Sequence, residues 1–417
     1  MEQEKAWIRS TNVYEVNFRQ YTPEGTFGAF TPHLSRLKDM GVDTLWFMPT
    51  TPISKKNMKG AMGSYYACSD YVSINPEFGT INDFKRLVDC AHEMGFKVII
   101  DWVANHTGWD HQWTIEHPDW YEKDEKTGDF KKASGMDDII ELDFNNADMR
   151  LAMIEAMKYW VLSSNIDGFR CDLAFWVQLD FWVQAKKELD KVKPLFWLAE
   201  SDPIEHPEYM QVFDAAYTWA WMHKTEDYAK GRYSFPALVR ILDQYGNTPG
   251  IKAWFTSNHD ENTWNGTEYE KYGPLAKGLA VFSCTWAGMP LIYNGQELPN
   301  LKRLEFFEKD VIEWNNHFEL HDFYKKLLEL KRNNMALWSD ASVMRIPTSK
   351  DDQVLVFKRQ AEDKEVMVFL NFSGNDVDAY LQQLSGKYKD IFNEMTVDLD
   401  SNHMYLAPWQ YLVYEKI

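Results

Sequence analysis

The stretch Asp167-Gly168-Phe169-Arg170-Cys171-Asp172-Leu173-Ala174-Phe175 has the pattern of a short strand. Apolar residues alternate with Arg170 and Asp172, so a strand here would point a cation and a carboxylate to the same side. An arginine beside a carboxylate favours the ionised form and lowers its pKa. An ionised carboxylate that faces a cleft can serve as a nucleophile. For an isolated pair of this kind, a structural ion pair at a strand end is the alternative.

Strand-like runs recur on both sides of this stretch, separated mostly by amphipathic helical patterns such as residues 81–94. The runs are 13–18, 44–47, 97–100, 168–173, 195–198, 253–256 and 291–293, with 212–217 as the best candidate for one more. Strands that alternate with helices predict a parallel sheet, and about eight such units close into a barrel. We therefore expect an α/β fold, a (β/α)8 TIM barrel.

Two segments depart from this alternation. Residues 107–140 are polar and aperiodic, which predicts a short excursion after strand 3, a small domain B over the barrel mouth. Residues 342–417 carry strand patterns and turn residues without a helical period, which predicts a C-terminal antiparallel β-sandwich domain. The expected organisation is a catalytic barrel over 1–106 and 141–341, domain B over 107–140 and the β domain over 342–417.

Composition excludes several kinds of partner. The net charge of −19 argues against nucleic acid and against an anionic membrane surface, because both need basic surface. No apolar run is long enough to span a membrane. Aromatic residues make up 15% of the chain, and they suit core packing first and stacking on sugar rings second. If Met1 is the native start the compartment is the cytoplasm; if a leader was removed, it is the periplasm or the outside.

Polar residues follow the apolar strands where a parallel barrel brings strand ends together. Asp172, Glu200 and Asp260 would put three carboxyl groups on one rim, beside His106 and His259. Crowding raises the pKa of at least one acid and leaves a protonated acid beside an ionised nucleophile. Retaining glycoside hydrolysis needs this pair.

The chain resembles the α-amylase family, glycoside hydrolase family 13, over nearly its whole length. The stretches that carry the resemblance are, in chain order, Ser64-Tyr65-Tyr66-Ala67, Asp70-Tyr71-Val72-Ser73-Ile74-Asn75, Asp101-Trp102-Val103-Ala104-Asn105-His106, Gly168-Phe169-Arg170-Cys171-Asp172, Glu200 after an apolar strand, and Ser257-Asn258-His259-Asp260. Each stretch alone is a weak signal, and their joint order is specific.

The resemblance implies a role for each matching residue. Asp172 matches the nucleophile, Glu200 the acid/base and Asp260 the third acid, which binds sugar hydroxyls. Arg170 matches the residue that orients the nucleophile, and Asp101 the acid that braces this arginine. The resemblance further implies that His106 and His259 bind hydroxyls of the cleaved sugar and that Tyr66 is its stacking platform.

The sequence departs from the family pattern at two places. Phe175 and Trp176 stand where many members carry Lys-His, so the leaving-group side would bind sugar by stacking, unless Trp176 only packs. Asn105 and Glu141 match calcium ligands of the family, although an aspartate is expected in place of Glu141. Because some members lack the ion, the resemblance leaves calcium open, and it implies no organic cofactor.

The resemblance implies an α-retaining hydrolase of α-1,4-glucosidic bonds in starch-derived malto-oligosaccharides, with the endo-acting α-amylase as the leading hypothesis. An exo-acting α-glucosidase, a maltogenic or cyclodextrin-degrading enzyme and a transglycosylase are the alternatives on the same fold. A non-catalytic glucan-binding or scaffold member is a remote alternative, because such members would have lost the acids. The expected partner is an α-glucan oligosaccharide or polysaccharide, and the sequence leaves the oligomeric state open.

Overall fold

The barrel in this computed structural model, which describes residues 5–315 and 317–417, is built from parallel strands in sequence order. Its strands are β1 (Val13–Val16), β2 (Thr44–Phe47), β3 (Lys97–Trp102), β6 (Gly168–Cys171), β7 (Phe196–Ala199), β8 (Ala215–Tyr217), β9 (Ile251–Trp254) and β10 (Met289–Tyr293), with β4 (His106–Gly108) and β5 (Ile139–Glu141) outside it. Because β10 pairs with β1, these eight described strands form a closed barrel. The predicted TIM barrel is confirmed.

Helices surround the barrel and connect its strands. The α-helices of the described chain are α1 (Phe18–Tyr21), α2 (Phe27–Phe30), α3 (Leu34–Met40), α4 (Ile81–Glu93), α5 (Trp113–Glu116), α6 (Ala147–Ser164), α7 (Leu179–Leu189), α8 (Trp219–Ala229), α9 (Phe235–Gly246), α10 (Glu268–Tyr272), α11 (Ala276–Thr285) and α12 (His321–Asn333). The helix predicted over 81–94 begins at a capping box in which Thr80 and Asp83 bond each other's backbone N–H. No helix in the described ranges is both long and apolar enough to cross a bilayer.

Large apolar side chains fill the barrel below its mouth. Trp46, Ile99 and Leu198 belong to one buried cluster inside the barrel. Side chains alternate along a strand, so residues two positions beyond these also point inward, one layer higher. That higher layer holds Asp101 on β3 and Glu200 just after β7. The charged site therefore lies on an apolar floor.

Gly168 lets β6 and β7 approach closely. A Cβ atom at this position would lie 2.1 Å from the carbonyl oxygen of Phe196. The register of β6 then puts Arg170 beside Asp101 of β3 and beside Leu198 of β7. Gly168 therefore allows the close packing of β6 against β7 that positions Arg170, two residues later.

The excursion after β3 contains the antiparallel pair β4 and β5, which aligns His106 with Glu141. Short bridges join Tyr121 to Leu142, Lys123 to Phe130 and Lys132 to Ile140. This segment has structure that its sequence did not predict, because its strands are too short to show a period. The bounds proposed for domain B and for the other domains stay predictions.

The C-terminal domain is an antiparallel sheet, as predicted. Its strands are β11 (Ser342–Arg345), β12 (Val354–Ala361), β13 (Lys364–Asn371), β14 (Val377–Asp390), β15 (Thr396–Leu406) and β16 (Tyr411–Lys416). The sequence predicted a sandwich, and the described strands pair in one continuous sheet, in the order β11-β12-β13-β16-β14-β15. Val377 and Ala379 of β14 share a buried cluster with Val356 and Phe369, so the sheet encloses an apolar core of its own.

Arg359 of β12 joins this domain to the barrel. Its guanidinium is fully buried and donates hydrogen bonds to the carbonyl oxygens of Thr285 at 2.7 Å and Trp338 at 2.7 Å. Thr285 is the last residue of α11, whose final carbonyl groups have no partner within the helix. Burial lowers the pKa of Arg359 to about 9. The cation is retained here because it satisfies several buried carbonyl groups at once.

We expect Arg359→Met to lower the free energy of unfolding by about 3 kcal/mol, because it leaves buried carbonyl oxygens without a donor. Denaturant unfolding measures this change. Arg345→Met is the matched control: the one ion pair of Arg345 with a described residue is an exposed pair with Asp243, and its loss should change stability by less than about 1 kcal/mol. Equal effects of the two substitutions would contradict the role of Arg359.

Candidate active site

Arg170 is the centre of the charged cluster at the carboxyl ends of the barrel strands. Its side chain is fully buried, with Nη1 3.0 Å from Asp101 Oδ1 and 3.0 Å from Asp172 Oδ1. Nη2 lies 2.7 Å from Glu200 Oε2. One guanidinium therefore holds three carboxyl groups that come from three neighbouring strands. Because its planar nitrogens are rigid, it also sets the spacing between Asp172 and Glu200.

Asp172 differs from the sequence expectation in its protonation. Arg170 does lower the pKa of this carboxyl, as predicted, but burial is the larger effect and the carboxyl groups of Asp101 and Asp260 add to it. The result is a pKa raised to about 6. Asp172 is therefore mostly ionised at neutral pH, but by a smaller margin than the arginine alone would give.

Glu200 has the pKa of an acid catalyst. Burial first, then the charges of Asp172 and Asp260, raise its pKa to about 7 against the opposing effect of Arg170. The backbone N–H of Leu173 donates to Oε2 at 2.9 Å. Leu173 has φ of +39°, a left-handed conformation that an apolar side chain rarely adopts, so local strain accompanies this contact. Oε2 is held by donors, which leaves Oε1 for proton transfer.

Asp260 lies at the open side of the cluster. Its side chain is 39% exposed, and Oδ2 is 3.2 Å from Nε2 of His259. Burial alone would raise the pKa of Asp260, but His259 and Arg170 outweigh it and lower the pKa below its ordinary value. Asp260 is therefore an ionised acceptor that a ligand in the cleft can reach.

Glu15 is a member of this cluster that sequence reasoning missed. It lies on β1, and its Oε1 is 2.5 Å from Nδ1 of His259. A single charged residue between Tyr14 and Val16 in a strand pattern was the available signal. The sequence could not connect it to His259, which lies 244 positions away.

An aromatic wall borders His259. The ring of Tyr66 stacks on His259 with centroids 5.3 Å apart and on Phe306 at 6.4 Å. Trp264, in a π-helical turn after Asp260, lies 5.7 Å from Phe306 and is 53% exposed. The predicted platform Tyr66 thus lies in the cluster, and Phe306 is an addition that no motif indicated.

His106, the other predicted hydroxyl-binding histidine, begins β4 just after β3. Its imidazole is buried, and burial lowers its pKa to about 4 in spite of the nearby Asp138. Its Nε2 finds no hydrogen-bond partner among the described residues. A neutral imidazole with a buried, unpartnered nitrogen can exchange one hydrogen bond with a ligand hydroxyl.

Phe175 and Trp176 follow the strained turn at Leu173. Phe175 stacks on His206 with centroids 4.7 Å apart, which uses one of its faces. Trp176 is 36% exposed and lines an open cavity of about 490 Å³. Packing therefore accounts for one face of Phe175, and the role of Trp176 in sugar binding stays a prediction.

The two residues matched to calcium ligands, Asn105 and Glu141, line the same cavity. The ammonium of Lys131 occupies the position between the carboxylates, 2.5 Å from Glu141 Oε2 and 2.6 Å from Glu122 Oε2. Hydrogen bonds to Glu122 and Glu141 raise the pKa of Lys131, so the amine stays charged. The described chain also has no group of three or more His, Cys, Asp or Glu residues arranged to hold a metal ion. These residues do not fit a calcium ion unless Lys131 moves away.

Comparison with known proteins adds a family to this geometry. The family model described as alpha amylase, catalytic domain, matches residues 9–130 and 116–342, which is more than half of the chain. Among curated proteins, alpha-amylase MalA of Haloarcula japonica is 26% identical over 431 residues, covering 96% of this chain and 62% of the relative. The chain thus spans about three fifths of the length of that relative.

Two solved structures resemble the whole chain. A maltogenic alpha-amylase of Thermotoga neapolitana, described as noncanonic, has a TM-score of 0.89 at 28% identity, covering 98% of this chain and 99% of the other. An alpha-amylase of Lactobacillus plantarum has a TM-score of 0.88 at 29% identity, with the same coverage.

We propose that Lys131 takes the place of a calcium ion, and we expect the melting temperature to be the same in calcium and in a chelator. Lys131→Ala should lower the melting temperature by a few degrees in chelator, because Glu122 and Glu141 then face each other unpaired. Added calcium should restore it. Lys132→Ala, which removes an exposed pair with Asp137, is the control and should respond to neither condition. A calcium-dependent melt of the unaltered protein would contradict the proposal.

Proposed function

The chain belongs to the α-amylase family, and from this premise we propose that it cleaves α-1,4-glucosidic bonds of malto-oligosaccharides with retention of configuration, by endo attack. The observation that carries the proposal is the pair of carboxyl groups held by Arg170. Near neutral pH Asp172 is mostly ionised while Glu200 is about half protonated, owing to the pKa values raised to about 6 and about 7. Held at two nitrogens of one guanidinium, the pair is close enough for a nucleophile and an acid on one glycosidic bond.

The proposed reaction has two steps. Asp172 attacks the anomeric carbon and forms a β-glycosyl ester, while Glu200 gives its proton to the departing glycosidic oxygen. Glu200, now ionised, then takes a proton from water, whose oxygen attacks the anomeric carbon and releases Asp172. Two inversions give net retention, and Glu200 ends protonated as it began.

The other proposed roles concern the sugar. Ionised Asp260 would accept hydrogen bonds from hydroxyl groups of the distorted ring, and its exposure supports this. Neutral His106 would bond a further hydroxyl through its free nitrogen. Tyr66 would contact the apolar face of the ring, an interaction that aromatic side chains favour.

Endo attack is the finer part of the proposal. An endo enzyme needs sugar-binding surface beyond the cleaved bond, and the exposed rings of Trp176 and Trp264 supply such surface after the nucleophile and after the third acid. The rival is a maltogenic enzyme, because one structural neighbour carries that name. The two differ in their earliest products.

A time course of products from maltoheptaose, resolved by chain length, tests the proposal. Endo attack predicts a spread of shorter oligosaccharides from the first time points, whereas maltose alone would favour the maltogenic rival. Products longer than the substrate would indicate a transferase. Asp172→Asn should reduce kcat at least about 10⁴-fold with the fold retained, and full activity of this variant would refute the nucleophile assignment.

The pH dependence follows from the two carboxyl groups. We expect kcat/KM to rise as Asp172 ionises with a pKa of about 6 and to fall as Glu200 loses its proton with a pKa of about 7, so the maximum lies between these values. An α-maltosyl fluoride needs little help from an acid, so its profile should keep the acidic limb and lose the alkaline one. An unchanged alkaline limb with the fluoride would argue against Glu200 as the acid.

A further inference from the structure

Glu15 is a buried carboxylate with a single charged partner in direct contact. Its side chain is 0% exposed, and in the described ranges its one ion pair is with His259. Oε1 contacts the imidazole, while Oε2 has no protein donor among the described residues. Burying a carboxylate is strongly destabilising unless a nearby charge compensates this cost. A glutamine would have the same shape and could accept the same hydrogen bond without this cost, so the charge itself needs an explanation.

His259 has a carboxylate oxygen at each ring nitrogen. Nδ1 faces Glu15 Oε1 at 2.5 Å, and Nε2 faces Asp260 Oδ2 at 3.2 Å. A neutral imidazole carries one N–H, so one of its nitrogens would present a lone pair to a carboxylate. Both contacts are favourable only when both nitrogens carry hydrogen.

The remaining neighbours of His259 agree with this arrangement. Tyr66 Oη lies 2.8 Å from Nε2 and donates its own hydrogen to Asp101 Oδ2 at 3.1 Å. The tyrosine oxygen is therefore left as an acceptor for the Nε2–H. Arg170, the cation of the cluster, bonds to carboxyl groups of Asp101, Asp172 and Glu200, and it does not contact Glu15.

The charged groups around the imidazole also favour its doubly protonated form. Burial lowers the pKa of His259, but Asp260 and Glu15 outweigh burial and hold this pKa well above its ordinary value. Burial outweighs His259 and Arg170 and holds the pKa of Glu15 above its ordinary value, and the charge of Asp260 adds to the rise. The uncharged neighbours are the edge of Trp46, at 6.0 Å between ring centroids, and the tilted ring of Phe306 at 6.2 Å.

We propose that Glu15 is a positioning residue that keeps His259 doubly protonated, so that its Nε2–H is a constant donor beside Asp260. The catalytic consequence of this inference rests on the proposed function. The imidazolium would keep Asp260 ionised, and an ionised Asp260 accepts hydrogen bonds from the sugar hydroxyls. Glu15 would not touch substrate. It acts from the opposite side of the imidazole.

Nitrogen-15 NMR of the histidine rings of the full chain tests the protonation directly. We expect both nitrogens of His259 to stay protonated through pH 8, with the resonance assigned by its loss in His259→Asn. In Glu15→Gln the midpoint of the His259 titration should fall by at least about one pH unit. Glu268→Gln is the matched control: Glu268 is another buried glutamate, which accepts hydrogen bonds from Thr256 and Gln296, so the His259 titration should not move.

Kinetics with α-maltosyl fluoride provide a second measurement. Because this substrate needs little help from an acid, the loss of the Glu200 proton should no longer lower kcat/KM at alkaline pH. The unaltered enzyme and Glu268→Gln should then have a constant kcat/KM above pH 7. In Glu15→Gln, kcat/KM should fall at least about tenfold by pH 8. A neutral His259 in the unaltered protein at pH 7, or an unmoved titration in Glu15→Gln, would overturn the inference. If Glu15→Gln does not fold, the titration of the unaltered protein decides. If His259 is doubly protonated but the protein hydrolyses no glucan, the proposed function is refuted, whereas the inference that Glu15 keeps His259 charged is supported.

Discussion

The buried guanidinium of Arg170 is the interaction on which the site depends. It forms ion pairs with three carboxyl groups, from Asp101, Asp172 and Glu200, which lie at the barrel mouth with little exposure to solvent. Without the cation, these carboxylates would repel one another and their pKa values would rise further. With it, they stay together in one ion-paired cluster. The position of Arg170 is set by the barrel strands, and the protonation of the neighbouring carboxyl groups depends on that position.

Burial destabilises the charged forms of these carboxyl groups, and the same effect shifts their pKa values into a range that suits catalysis. Asp172 and Glu200 share one guanidinium, and burial outweighs it at both, raising their pKa values to about 6 and about 7. An exposed pair would both be ionised at neutral pH and could not divide the work of nucleophile and acid. Asp260, at the exposed edge beside His259, keeps a lowered pKa. Depth in the barrel mouth thus separates three similar carboxyl groups into different states.

The sequence predicted some parts of the molecule well and others not at all. Strand β2 over Thr44–Phe47 has the predicted bounds, and the helix predicted over 81–94 begins at Ile81, because both signals lie within a few residues. Within the predicted β domain the bounds of β14 and β15 were not predicted, since many of their side chains face solvent and the apolar alternation is interrupted by polar pairs. The roles of Glu15 and Lys131 were missed for another reason. Each depends on a contact with a residue that the local sequence pattern does not identify.

Local order along the chain therefore determined the barrel, the succession of polar strand ends and the candidate acids Asp172, Glu200 and Asp260, because alternation and helical period are properties of neighbouring residues. Only the tertiary structure decided the protonation of those acids, the pairing of Glu15 with His259 and the presence of Lys131 between two carboxylates. These depend on burial and on distances between segments far apart in the chain. Electrostatic energy in a buried site is set by such distances, and a linear sequence does not contain them.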